Sequence, residues 1–278
     1  MSAAGVEAWS GKNRGDENFP VGSLLIRPDL RRHVHAFYAF ARNADDIADH
    51  PRLPPEEKIA RLDAMAEVLL GRLGDTASPS AARLRASLAE TGVTPRHASD
   101  LLVAFRQDAT KRRYANWDEL YEYCVFSAMP VGRHVLALHG EAEAAYPPSD
   151  ALCVILQVLN HLQDCATDLA ALDRCYLPAD LMAEHGAAIA DLAAPRASPG
   201  LRAVFAALLA RMAALAPLAA ALPGAVRGRR LRLETAVIVG LARRLAARLG
   251  AEDPLAKRVA LRKFDIAAAA IGALRFLP

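Results

Sequence analysis

Alternating β-branched runs are nearly missing from this 278-residue chain, and with them the usual signature of a sheet. Aromatic residues make up only 6%, while Ala and Leu abound, a composition that favours helix. An excess of one charge is also missing. The 34 Lys and Arg stand against 31 Asp and Glu, a formal net charge of +3, so no nucleic-acid partner is indicated. The four cysteines, Cys124, Cys153, Cys165 and Cys175, form no CxxC pair and no Cys/His spacing suited to zinc. No signal peptide is recognisable, so they read as reduced, mostly packing cysteines of a cytoplasmic protein. No GxGxxG fingerprint precedes a helix, which leaves no sign of a Rossmann-type dinucleotide site. The most apolar stretch, MAALAPLAAALPGAV at 212–226, is shorter than a bilayer span, carries Pro217 and Pro223 and is edged by Arg211 and Arg227. It reads as a buried helix. The apolar tail DIAAAAIGALRFLP suits either core or a membrane-facing surface, in keeping with peripheral contact at an inner membrane.

What is present is helical periodicity. It places helices at roughly 28–50, 54–73, 79–91, 96–112, 117–139, 149–171, 178–185, 199–221, 229–249 and 254–276. Pro130 should kink the fifth of these, and the Pro147-Pro148 pair, followed by Ser149 and Asp150 as caps, should precede the sixth. No repeat or Gly/Ser linker divides the chain. Residues 1–17 read as a loose polar arm and 18–278 as a single all-α domain, with long antiparallel helices around a central cavity.

Two acidic stripes stand out. With about 100° per residue in an α-helix, Tyr38, Arg42, Asp45 and Asp49 of YAFARNADDIADH share one side, and Asp46 turns away from it. Gln157, Asn160, Asp164 and Asp168 repeat the device on a second helix. Like charges at i,i+4 cost helix stability, and no run of Lys at i±4 offsets them. A solvated face is the plain alternative for either stripe. Two features argue for more. Apolar residues flank both stripes, and the acids are Asp and Asn, poor helix formers that a merely soluble face has no reason to prefer over Glu. Short carboxylates at fixed spacing suit Mg²⁺, which takes one or two carboxylates together with substrate phosphates. A di-iron site is disfavoured, because no Glu in the chain is followed by His three residues later.

DDIAD on one helix and NxxxDxxxD on another resemble the two aspartate-rich motifs of the squalene/phytoene synthase family, head-to-head isoprenyl diphosphate enzymes. The likeness extends to YCVFSAMPVGRHVLALHG, similar to that family's substrate-lining helix, and to QVLNHLQDCATDLAALDRCYLP with its Arg174 and Tyr176. ENFPVGSLL, AFRQDATKRRYANWDEL, SAMPVGR and NHLQDC resemble, more narrowly, a bacterial branch in hopanoid synthesis that removes diphosphate from presqualene diphosphate and adds water. Two departures from condensing members fit that branch. Gln163 stands where Arg commonly precedes the first Asp of the second motif, and Asn18-Phe19-Pro20 replaces an early Ser-Phe segment. A condensing synthase joining two prenyl diphosphates is the alternative enzyme within the family, and a non-catalytic family relative serving as an assembly or scaffold partner is the alternative from a different functional class.

The resemblance implies an isoprenoid-synthase-type helical bundle that binds an isoprenoid diphosphate and uses Mg²⁺. It further implies partner enzymes upstream and downstream in squalene formation. Asp45, Asn160 and Asp164 would hold Mg²⁺ directly, with Asp49 and Asp168 completing the metal site through water or from behind the direct ligands. Arg42 would fork onto phosphate oxygens, whereas the basic run Lys111, Arg112 and Arg113 reads as a solvated helix end. Tyr38, Tyr123 and Phe126 would face a developing carbocation. Gln157, Gln163 and Tyr123 are candidates to place the attacking water. Asn18, Phe19, Arg174 and Tyr176 complete the expected substrate contacts.

Overall fold

The computed structural model describes residues 5–9 and 25–277, and all its regular elements are helical. Asn18 and Phe19, with most of the expected arm, lie outside the described residues. Twelve α-helices are described: α1 (Arg31–Ala48), α2 (Pro55–Leu69), α3 (Pro79–Thr91), α4 (Arg96–Thr110), α5 (Trp117–Ser127), α6 (Met129–Leu138), α7 (Tyr146–Leu172), α8 (Ala179–Glu184), α9 (Pro199–Ala220), α10 (Leu222–Ala225), α11 (Arg229–Ala251) and α12 (Lys263–Ala273). They fall into two compact units, residues 1–111 with 130–143, and residues 112–129 with 144–278.

The first unit holds α1–α4 and most of α6. Phe37, Phe40, Ala44 and Ile47 of α1 are buried with Leu62, Met65 and Val68 of α2, Leu84 of α3, and Leu101 and Leu102 of α4. Packing of α1 on α3 and α4, and of α2 on α3 and α4, makes this core. Residues 5–9 run along it: Val6 N–H donates to the Ala77 carbonyl at 2.8 Å. The Glu7 carboxylate accepts from Ser80 N–H at 2.6 Å and from Ser78 Oγ at 3.1 Å.

In the second unit α7 packs along α9, with α11 against both. Leu152, Ile155, Leu159 and Leu162 of α7 are buried with Leu201, Val204, Phe205 and Leu208 of α9 and Leu241 and Leu245 of α11.

Four local expectations need correction. Pro147 and Pro148 lie inside the first turn of α7, which starts at Tyr146 without a side-chain cap; proline fits there because the first N–H groups of a helix have no intrahelical acceptor. The predicted helix 117–139 is two helices, divided at Ala128, since Pro130 has no N–H to give the Phe126 carbonyl. The predicted helix from 254 begins only at Lys263. Asp253 turns the preceding chain instead, accepting from Leu255 N–H at 3.0 Å and Ala197 N–H at 2.9 Å. Finally, the 212–226 stretch is not a buried helix. Pro199–Ala225 is long and apolar enough to cross a membrane by length and composition alone, yet only 28% of its most apolar window is buried.

Candidate active site

The α1 stripe forms as the spacing requires, with Tyr38, Arg42, Asp45 and Asp49 all half-buried on one face while Phe37, Phe40, Ala44 and Ile47 fill the core. Arg42 binds Asp45 at 3.1 Å and Asp46 at 2.7 Å. The expectation that Asp46 turns away is therefore corrected: its side chain is only 4% exposed and is held by the Arg42 fork. Asp49 closes the helix, its N–H donating to the Asp45 carbonyl at 2.8 Å. Asp45 sits among several acids. Desolvation, then Asp49, raises the Asp45 carboxyl well above the usual carboxylate range; Arg42 opposes this, and Asp108 and Asp46 add to it. Asp108, buried on α4, was missed by the sequence reading although AFRQDATKRRY was singled out. Its neighbours Arg106, Gln107, Thr110 and Lys111 are polar, so nothing in the sequence marked it as buried.

The α7 stripe also forms. Gln157, Asn160, Asp164 and Asp168 are half-buried, while Leu159, Leu162, Gln163 and Cys165 point inward. Its countercharge comes from far along the chain: Arg258 Nε donates to Asp164 Oδ1 at 3.0 Å and Nη2 to Oδ2 at 3.4 Å. Gln163 is a strut beneath that contact, its Nε2 donating to the Val259 carbonyl at 2.5 Å. The residue that distinguishes this motif therefore ties α7 to the segment carrying Arg258.

Behind the stripe lies an aromatic cluster. The Tyr176 ring stacks on His161 with centroids 3.6 Å apart, and Tyr114 and Tyr123 lie 5.4 and 5.5 Å from Tyr176. Arg174 donates to the Tyr176 hydroxyl at 3.1 Å, and Gln157 Nε2 is 3.1 Å from His161 Nε2. Burial, then the Arg174 charge, pushes the His161 imidazole down to about 3, so it stays neutral. Nothing in the sequence marked Tyr114, which follows the basic run Lys111–Arg113, or His161, which sits between Asn160 and Leu162, as members of a ring cluster. Phe126 is half-buried on α5, outside the ring contacts of this cluster.

The turn after α7 is built by Asp173, whose φ of 51° is left-handed, a conformation that Asp tolerates better than most residues. Arg113 grips it, 2.6 Å from the Asp173 carboxylate, and the Arg112 carbonyl accepts from Cys175 N–H at 2.9 Å. Arg113 is thus a loop tether, not the solvated helix end expected for this run. All four cysteines are free, and burial raises the Cys124 and Cys165 thiols to about 12.

Both faces have donors that suit Mg²⁺: oxygen-bearing Asp and Asn side chains at helical spacing, with a carboxylate crowded by other acids. Among the described residues, no cluster of three or more His, Cys, Asp or Glu side chains suffices on its own to hold a metal, so substrate oxygens would have to complete the coordination.

A family model for squalene/phytoene synthase matches residues 12–265. The chain belongs to the squalene/phytoene synthase family. It is an enzyme-family member with the all-α fold of its structural relatives. Hydroxysqualene synthase of Rhodopseudomonas palustris is 47% identical over 96% of this chain and 91% of that protein. The same-named protein of Sinorhizobium fredii is 46% identical over 93% and 88%. Among solved structures, squalene synthase HpnC from Alicyclobacillus acidocaldarius superposes with a TM-score of 0.73 at 32% identity, covering 84% of this chain and 88% of that one.

Proposed function

We propose that this chain is a hydroxysqualene synthase, a carbon–oxygen lyase converting presqualene diphosphate and water to hydroxysqualene and diphosphate. The observation that carries this reading is the 46–47% identity to hydroxysqualene synthases over nearly the whole chain. The half-buried acidic faces on α1 and α7 support it, because such carboxylates could hold the divalent cations that neutralise a departing diphosphate.

Asp45 and Asp49 on α1, and Asn160, Asp164 and Asp168 on α7, are the proposed Mg²⁺ ligands. When bound, Mg²⁺ neutralises charge developing on the leaving diphosphate. Arg42 balances the α1 carboxylates in the free protein and keeps guanidinium donors on the same face for phosphate oxygens. Loss of diphosphate breaks the C–O bond and leaves a cyclopropylcarbinyl cation. Aromatic faces such as Tyr38 and Phe126 stabilise such a cation. Tyr123 and Tyr176, being packed with His161, hold the wall behind it. That cation rearranges with cleavage of a cyclopropane C–C bond, and water then forms the new C–O bond on the rearranged cation and loses its proton, giving hydroxysqualene. Gln157 positions a water most readily: it is half-buried on the stripe, and its amide is oriented by neutral His161. The protein is proposed to act in the cytoplasm with peripheral contact at the inner membrane.

The test is product analysis. Purified protein and Mg²⁺ are given presqualene diphosphate in one tube and farnesyl diphosphate in another, without nicotinamide, and the lipids are identified by mass spectrometry. Hydroxysqualene from the first tube alone is the expected result. Presqualene diphosphate or a phytoene-type hydrocarbon made from prenyl diphosphates would overturn the assignment in favour of a condensing enzyme.

A further inference from the structure

In α12 the usual partition of side chains is reversed. The residues it buries are Asp265, Ala269 and Ala273, spaced four apart on the side turned to α11. Ala269 sits so close to Gly240 that a Cβ there would lie 3.1 Å from the Ala269 methyl, so α12 lies flat on α11 through small residues. Its large side chains point out. Phe264 is 77% exposed and Ile271 69%, with Ile266, Leu274 and Leu277 also exposed. Phe264, Ala267, Ile271 and Leu274 recur at helical spacing opposite the buried side. The sole carboxylate on this helix, Asp265, is buried and lies 3.6 Å from Arg248. Isolated exposed apolar side chains are ordinary, but a contiguous stripe marks an interaction surface.

The stripe adjoins a cavity of about 390 Å³ whose walls are apolar except for arginine: Ala220, Pro223, Ala269 and Phe276 with Arg243, Arg244 and Arg275. Among the described residues no carboxylate lines it. Arg275 stacks over the Phe276 ring at 5.0 Å, and Lys263 adds a cation at the start of α12. Apolar side chains fringed by cations match the boundary of an anionic bilayer, where acyl chains meet phosphate. A protein partner would have to bring its own acidic side chains to Arg243, Arg244 and Arg275, whereas an anionic bilayer presents phosphate across its whole surface.

We propose that α12 and the arginine-lined cavity beside it form a docking surface for an anionic phospholipid bilayer, with the apolar stripe seated among acyl chains and Arg243, Arg244 and Arg275 on headgroup phosphates. Pro199–Ala225 does not span in this arrangement, because α9 is packed along α7. The inference rests on the peripheral-membrane part of the function proposed above, not on its catalytic part.

Sedimentation with sucrose-loaded vesicles tests it, using pure phosphatidylcholine or an equal mixture with phosphatidylglycerol, and no substrate. The full chain is expected to bind the mixed vesicles and to be released as salt is raised. Phe264→Ser with Ile271→Ser should weaken partition roughly a hundredfold on either vesicle, with helix content by circular dichroism unchanged. Arg243→Gln with Arg275→Gln should abolish only the preference for anionic lipid. Failure of the unaltered chain to bind the mixed vesicles would overturn the proposal. So would equal binding by the Phe264/Ile271 variant, or a stable dimer that this variant converts to monomer without any vesicle binding. Because no substrate is present, loss of the catalytic assignment would leave these results standing.

Discussion

The acidic stripes on α1 and α7 look alike in sequence but are neutralised in different ways. Arg42 lies three and four residues from its partners Asp45 and Asp46, and its side chain is only 13% exposed. Arg258 comes from a non-helical segment 94 residues beyond Asp164, and its side chain is 53% exposed. The first pairing is fixed once α1 folds. The second depends on a segment that Gln163 pins to α7. One face is therefore permanently braced, while the other carries a solvent-accessible pair that a cation or phosphate can displace at little cost.

The contrast should be widest in stability. Arg42→Ala leaves Asp46 buried without its forked partner, and should cost about 3–5 kcal/mol by urea unfolding. A loss under about 1 kcal/mol would show that the α1 face is as loosely held as that of α7. Acid tests the buried histidines of the two units. His134, stacked on Phe37 at 3.8 Å, is pushed down to about 3 by burial and then by His97 and His33; His161 is pushed down to about 3 by burial and Arg174. An unfolded His titrates near 6.5, so between these values the unfolded chain binds more protons than the folded one. Stability should therefore rise with pH through this window and fall as pH drops below about 6.5, by about 2 kcal/mol per His between pH 7 and 5. Paired unfolding curves for His134→Leu and His161→Gln should each show a flatter acid limb than the parent.

Smaller effects probe the α7 brace. Gln163→Leu strands the Val259 carbonyl and should cost about 1–3 kcal/mol, with amide exchange accelerating in residues 254–262. Rescue by Gln163→Asn would not be expected, because the shorter amide cannot reach. Least of all, Arg258→Gln should change stability by under about 1 kcal/mol, since the pair is exposed. A larger loss would mean that the Asp164 pair is structural rather than displaceable.

How much was legible follows from the range of each interaction. Helical periodicity placed α3 at both of its ends and brought Asp45 and Asp49, and Asn160, Asp164 and Asp168, onto single faces, because those relations are set within a few turns. The Arg42–Asp46 fork was within reach of the same logic, since i,i+4 partners meet on a helix, but the 100° count alone put Asp46 off the stripe. Arg258 and Val259 could not be placed, because nothing local to RVALRK records a partner on α7. Tyr114 and His161 were likewise invisible, their roles arising from ring packing across α5, α7 and the loop after α7. The inverted α12 was half-legible: the tail was apolar, but only packing through Gly240 and Ala269 decided which side was buried.

The central claim is that the acids on these two faces await a cation with diphosphate. Thermal unfolding with Mg²⁺ and inorganic diphosphate added separately and together, for the unaltered chain and for Asp45→Asn and Asp164→Asn, tests it most directly. The melting temperature should rise only when both are added to the unaltered chain, by several degrees if their concentrations exceed the dissociation constant about a hundredfold. Each variant should lose most of that rise. An equal rise in both variants, or none in the unaltered chain at saturating concentrations, would contradict the assignment.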